Sequence, residues 1–74
     1  MELWTIYSKP NDFPEHYVAR RLLINAHGAV FVAASALVSA ELEHLRAELA
    51  RLRPGLHRVE RQADDDPVIV EVWL

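Results

Sequence analysis

The chain has 74 residues, a formal net charge of −3 at pH 7, 51% apolar residues and no cysteine. This length fits one small domain, residues 1–74, with a thin core. The lack of cysteine excludes disulfides and thiolate metal sites, and the acidic balance argues against a general affinity for nucleic acid. Because no segment reads as a signal peptide or a membrane span, we expect a cytoplasmic protein that does not bind membranes.

The first half of the chain predicts three strands. Residues 2–8 are rich in β-branched and aromatic side chains and predict the first strand. Residues 9–16 hold two prolines and predict a loop. Residues 17–25 and 29–33 predict the two strands of a hairpin, joined by a turn at 25–28 in which Gly28 can adopt a positive φ.

A single helix is predicted to follow. Ser35 is the expected N-cap of a helix over residues 36–53. Its apolar positions recur at alternating spacings of four and three residues, at Val38, Leu42, Leu45, Leu49 and Leu52. Pro54 and Gly55 end the helix.

Two further strands complete the prediction, at residues 56–61 and 68–74, with a turn at 62–67. Alternation in the last strand places its valines toward the helix and Glu71 and Trp73 on the opposite face. We expect this last strand inside the sheet, beside the first one. The predicted fold class is therefore α+β, in the order β-β-β-α-β-β: one antiparallel sheet with the helix packed across one face.

The sequence offers little support for catalysis or metal binding. It contains no nucleophile elbow, Walker loop or dinucleotide-binding loop, so we expect no enzyme and no cofactor. The four histidines lack metal-binding spacing, at His16, His27, His44 and His57. The run Asp64–Asp66 lacks the alternating ligands of calcium loops. We therefore expect no metal site.

One group of acidic residues is a candidate surface for binding a protein partner. Its members lie in two predicted loops and in the strand that directly precedes the second loop: Asp12, Glu15, Glu60, Asp64, Asp65 and Asp66. If the loops meet at one end of the domain, they form a negative surface that attracts a basic protein. The alternative is a set of solvated turns, in which Asp66 before Pro67 serves the turn itself.

Arg20 and Arg21 are a second candidate for partner binding. They are adjacent in a predicted strand and therefore point to opposite faces of the sheet. A partly buried arginine requires a carboxylate, for which Asp12, Glu15, Glu71 and the aspartate run are available. Two interpretations stay open: a salt bridge that fixes the proline-rich loop to the sheet, or an arginine held for a partner.

Both ends of the chain resemble a known pattern. WTIYSKPNDFPEHYVARR, residues 4–21, resembles WTxYxxPxDFPxxxVAR, and DDPVIVEVWL, residues 65–74, looks like the closing motif of the same proteins. These are small proteins of proteobacterial chromosomes, prophages and phages. The resemblance implies a phage or mobile-element setting and no established catalytic residues. The chain is also similar in size and character to anti-CRISPR inhibitors, which bind an interference complex stoichiometrically.

Three functions are therefore expected. The first is a non-enzymatic inhibitor that binds a type I CRISPR surveillance complex and interferes with DNA binding or nuclease recruitment. The second is a phage accessory or regulatory protein that contacts DNA through the arginine-rich segment, residues 46–61. The third is a structural homo-oligomer, with an exposed strand edge or part of the helix stripe as the contact of a homodimer.

Overall fold

A computed structural model describes residues 2–61 and 66–74, with the side chains of residues 34 and 35 excepted. Within these residues five strands and one helix follow in the order β-β-β-α-β-β, which confirms the predicted fold class. They are β1 (Glu2–Ser8), β2 (Tyr17–Ile24), β3 (Val30–Ser39), α1 (Leu42–Leu52), β4 (Arg58–Glu60) and β5 (Ile69–Trp73). In the part of the chain described, no helix is long and apolar enough to cross a membrane.

The strands form one antiparallel sheet in the order β3-β2-β1-β5-β4. The predicted position of the last strand beside the first is therefore confirmed. Directly paired residues share a face of the sheet. In the central strand, β1, the side chains of Trp4 and Ile6 lie on the face that α1 covers. They form the core with Ala19, Leu45 and Leu49, and each of these five side chains is at most 5% exposed.

Both predicted reversals between the first three strands are present. Gly28 has a φ of 81° in the β2–β3 turn, and the Asn25 side chain accepts hydrogen bonds from the backbone N–H groups of His27 and Ala29. The loop 9–16 joins β1 to β2 and is closed by a 2.9 Å hydrogen bond from the Lys9 N–H to the His16 carbonyl. Lys9 itself has a φ of 51°, which is uncommon for a residue with a side chain.

The predicted start of the helix is wrong. Residues 36–39 extend β3, and α1 begins at Leu42, so Ser35 is not an N-cap. The residue at the cap position is Glu41, whose side chain makes no capping hydrogen bond. Residues 36–39 are extended because they pair with β2, which sets Leu37 opposite Ala19 and Val38 opposite Val18. This pairing outweighs helix propensity.

The predicted facing of the last strand is correct for Val70, which packs against the core, but wrong for the three residues that follow it. Glu71 and Trp73 pair with Ile6 and Trp4, so both side chains lie on the helix-covered face. Val72 pairs with Thr5 and lies on the opposite face. The β1–β5 register shifts between Ile6 and Tyr7, an irregularity of the kind that re-aims neighbouring side chains.

The end of the chain carries a disproportionate share of the fold. Trp73 packs against the core, and Leu74 and His57 exchange backbone hydrogen bonds of 2.7 and 2.9 Å next to β4 and β5. Deletion of Trp73 and Leu74 removes a contribution of about 3–5 kcal/mol, which equals the net stability of a domain this small, about 3–5 kcal/mol. We predict that the truncated protein is unfolded by circular dichroism.

The control for this truncation is Leu74→Ala. This side chain is 48% exposed, and the substitution keeps the backbone hydrogen bonds with His57. Its melting temperature should lie within a few degrees of the wild type. A truncated protein that melts at the wild-type temperature would refute the prediction.

Candidate protein-interaction surface

The helix covers only part of the sheet. Its backbone lies closest to β3 and β2. An 11-residue helix is about 16 Å long, whereas the ten residues of β3 span about 33 Å. The first part of β3 therefore extends beyond α1, and Phe31, which lies on the helix side of the sheet, is 55% exposed.

Strand β3 is also an unprotected edge. It lies at one end of the sheet order, and among the described residues no strand pairs with its outer side. Its sequence, VFVAASALVS, contains no charged residue and no proline. Natural edge strands are usually short, charged or interrupted by proline, because a long uncharged edge pairs with other chains. A register irregularity opposite Arg21 divides β3 into two segments, residues 30–32 and 36–39.

A groove runs between the second segment of β3, residues 36–39, and α1. Its volume is about 540 Å³. It is lined by apolar and by polar residues: Leu37, Val38, Leu45 and Ala47 with Ser39, His44, Glu48 and Arg51. Arg51 donates a 2.6 Å hydrogen bond to Glu48, so the polar lining carries balanced charge. We call this groove together with residues 36–39 the β3 edge site.

The arrangement of the β3 edge site suits strand addition. In this mode an extended peptide pairs with an exposed edge strand, and alternate side chains of the peptide enter pockets beside it. The outer side of residues 36–39 supplies the backbone, and the groove supplies the pocket. The sequence predicted contact through an exposed strand edge but did not identify the groove or the edge as β3, because the edge position of β3 depends on the strand order.

Arg20 is paired with a residue of the proline-rich loop. Its guanidinium forms an ion pair with Asp12 and lies 5.9 Å from the centroid of the Tyr7 ring. The hydrogen bond from Arg20 lowers the pKa of Asp12. These contacts fix the loop over one end of the sheet face opposite α1. They match the interpretation of Arg20 as part of a salt bridge that fixes the proline-rich loop to the sheet.

Arg21 points to the helix-covered face, as the alternation predicted. Its Nε donates a 2.6 Å hydrogen bond to Glu2, a partner that sequence reasoning did not consider. Arg53 and Trp4 donate to the same carboxylate, over 2.5 and 3.1 Å. Burial alone would raise the pKa of Glu2, but these three donors outweigh burial and lower it. The β1–β2 register, which sets Trp4 opposite Arg21, is the signal that could have found this cluster.

The remaining acidic candidates are spread over different environments. Glu15 and Glu60 are exposed. Asp66 accepts a 3.0 Å hydrogen bond from the Val68 N–H, which is the turn role expected for it. Asp64 and Asp65 lie outside the described residues.

The loop 9–16 and the Asp66 turn do meet at one end of the sheet. Pro10 and Asn11 line a cleft of about 480 Å³ together with Asp66. Lys9 and Arg20 line the same cleft, which gives it mixed charge. An acidic binding surface at this end stays a prediction.

The arginine-rich segment is largely neutralised by carboxylates. Arg51 pairs with Glu48, Arg53 pairs with Glu2, and Arg46 pairs with both Glu43 and Glu71 at 2.5 and 2.6 Å. A phosphate would have to compete with these carboxylates. Arg46, Arg58 and Arg61 line a cleft of about 280 Å³ together with Glu60 and Glu71, so this cleft has mixed charge. DNA contact through residues 46–61 stays a prediction.

Glu71 is the most buried charged residue of the described chain, at 3% exposure. Arg46 on α1 donates to both of its oxygens, and Trp73 donates a 2.7 Å hydrogen bond to Oε2. Burial alone would raise the pKa of Glu71, but the hydrogen bonds from Arg46 and Trp73 outweigh burial and lower it. The carboxylate therefore links the helix to β5 and is fully occupied with structural contacts. Among the described residues, no cluster of three or more His, Asp and Glu side chains could hold a metal ion.

Comparison with known proteins adds no relative. No protein-family model matches the chain, and no curated protein or solved structure is similar to it. The function is therefore argued from the geometry of the β3 edge site.

Removal of Arg46 tests the link between helix and sheet. Arg46→Met leaves Glu71 buried without its cation, and we expect a loss of about 3 kcal/mol in the free energy of unfolding, the lower end for such pairs because Arg46 is partly exposed. The matched control is Arg51→Met, which breaks an exposed pair and should cost less than about 0.5 kcal/mol. Urea denaturation measures both values. Equal losses in the two variants would contradict a special role for Glu71.

The lowered pKa of Glu71 also predicts a pH dependence. Its contribution to stability is fully present above the ordinary value of 4.5 and is lost as the pH falls through the lower pKa of the folded state. Glu71→Gln should therefore flatten the decline of unfolding free energy below pH 4.5, although Glu2 still contributes part of it. Glu43 is an exposed partner of Arg46, and Glu43→Gln should keep the wild-type decline of unfolding free energy with falling pH. Denaturation at a series of pH values compares the three proteins, and a wild-type decline in Glu71→Gln would contradict the assignment.

Proposed function

We propose that the protein is a non-enzymatic module that acts by stoichiometric binding to a larger bacterial protein complex. One observation carries the proposal: the uncharged edge of β3 lies beside a groove between β3 and α1. In the proposed binding mode, an extended segment of the partner adds to the sheet outside residues 36–39. Backbone hydrogen bonds supply affinity, and the groove selects the side chains that alternate along the added strand.

The lining of the groove defines the segment that fits. An apolar side chain of the partner would contact Leu37, which packs against the core, and the exposed Ala47. Polar side chains on either side of it would meet Glu48 and Arg51. Because these two residues carry opposite charges, the preferred segment is apolar at its centre and carries no strong net charge.

The target follows from the resemblance of the two chain ends to phage and prophage proteins. We propose a type I CRISPR surveillance complex in the bacterial cytoplasm, where occupancy of its surface would block DNA binding or nuclease recruitment. The exposed carboxylates Glu15 and Glu60 would assist the approach to a surface that normally holds DNA, because opposite charge accelerates association. The resemblance supports this choice of target, and the groove supports the mode of binding.

The groove can be blocked without altering the sheet. Ala47 is exposed and lines the groove, so the side chain of Ala47→Arg would occupy it. Ala50→Arg adds the same side chain to an exposed position of the same helix that does not line the groove. We expect the wild type and Ala50→Arg to bind a purified type I surveillance complex equally. Ala47→Arg should bind at least about tenfold more weakly, a difference of about 1.4 kcal/mol.

The binding assay is paired with an interference assay in cells. Expression of the wild type and of Ala50→Arg should protect an incoming targeted plasmid, whereas Ala47→Arg should protect it less. Absence of a complex, together with intact interference when the protein is in excess, would exclude this target. Binding that is unaffected by Ala47→Arg would exclude the groove.

A further inference from the structure

The sheet face opposite α1, which we call the open face, has the composition of a covered surface. Strand register assigns its residues: Leu3, Thr5, Tyr7, Val18, Arg20, Leu22, Ile24, Val30, Val32, Ala36, Val38, Val59, Ile69 and Val72. Antiparallel sheets with one solvated face normally place polar residues there. On this face the polar side chains are confined to Thr5, Tyr7 and Arg20, near the loop 9–16.

The exposure of individual valines shows how much of this face is uncovered. Among the described residues, four valines are at least 40% exposed, and all four belong to the open face. They are Val30, Val32, Val38 and Val59. Three lie on β3 and one on β4, so the exposed apolar surface reaches both edges of the sheet. Exposed apolar patches of this extent mark interaction sites.

One end of the open face is already covered and neutral. Thr5 and Val18 are 5% and 0% exposed at the end where the loop 9–16 is fixed by Asp12 and Arg20. Among the described residues of the face, Arg20 is the one that carries a charge, and it is paired with Asp12. The described part of the face therefore offers no free charge to a partner. A nucleic acid or an anionic lipid surface would require unpaired cations there.

We propose that the open face is the interface of a homodimer in which two copies pack sheet against sheet. This proposal does not depend on the proposed function. The occupant is a second copy because the described part of the face is apolar and its charged residue, Arg20, is already paired with Asp12. Such a face is complementary to itself. Two sheets of the same twist pack face to face with their strands about 30° apart.

The size of the face agrees with such a dimer. Five strands about 4.8 Å apart and about six residues long give a planar area of about 480 Å², since each residue adds about 3.3 Å. Each partner in a standard stable interface buries about 800 Å² of accessible surface. Part of this planar area, at the end beside the loop 9–16, is already covered, and the relief of the side chains adds accessible surface to the remainder. Burial of this area would also add to the thin core of a 74-residue chain.

Sedimentation equilibrium with charged variants tests the dimer. The wild type should show twice the monomer mass of 8.5 kDa at high concentration. Val32→Lys and Val59→Lys place charge on the open face at opposite edges of the sheet, and each should weaken the dimer at least about tenfold. Phe31→Lys is the matched control, because Phe31 is also exposed and lies on β3 but faces the other side. It should leave the dimer intact.

Isotope-filtered NOE spectra of a mixed labelled and unlabelled sample give a second readout on the wild type. Contacts between copies should involve the methyl groups of Val30, Val32, Val38 and Val59, and not those of Leu52 on the helix. Four results would overturn the proposal: a monomeric wild type at all concentrations, a dimer unaffected by Val59→Lys, a dimer dissociated equally by Phe31→Lys, or contacts between copies that involve Leu52 instead of the valines. The groove variant Ala47→Arg should stay dimeric, so loss of partner binding and loss of the dimer are separable.

Discussion

A single short helix must cover a five-stranded sheet, and the rest of the structure depends on this mismatch. The helix is about 16 Å long and about 10 Å wide, whereas the sheet is about 24 Å wide. Full burial is therefore limited to the side chains between α1 and the centre of the sheet, around Ile6, Leu45 and Leu49. Everything farther out needs another form of cover or remains exposed.

Charged side chains provide part of that cover. Arg46 extends from α1 to the buried carboxylate of Glu71 on β5, although the helix backbone contacts only β2 and β3. At the other end of α1, Arg53 and Arg21 meet Glu2. Such pairs contribute little net stability, because the cost of desolvation offsets much of the attraction between the charges. Their effect is to fix where the helix lies on the sheet, since any other position would leave a carboxylate buried without a partner.

The sequence predicted what local patterns determine and missed what the register determines. The strands, the turn at Gly28 and the place of β5 were accessible from alternation and turn chemistry. Residues 36–39 fit a helical period as well as a strand, and only pairing with β2 decides between them. Glu71 was assigned to the face opposite the helix because alternation placed the valines of β5 toward the helix, yet Arg46 satisfies it within the core. The partner of Arg21 was missed because the β1–β2 register, which brings Glu2 close to Arg21, was not known from the sequence.

The surfaces that the helix leaves uncovered meet at the second segment of β3. Val38 lines the groove and also belongs to the open face, whereas Ala47 and Arg51 line the groove from the helix, on the other side of the sheet. Two copies that stack their open faces would keep these helix residues accessible. Such a dimer would present two identical sites, and a partner that offers the same segment twice would bind the second site at a raised effective concentration. Dimerisation of a small binding module would in this way increase its avidity without any new contact to the partner.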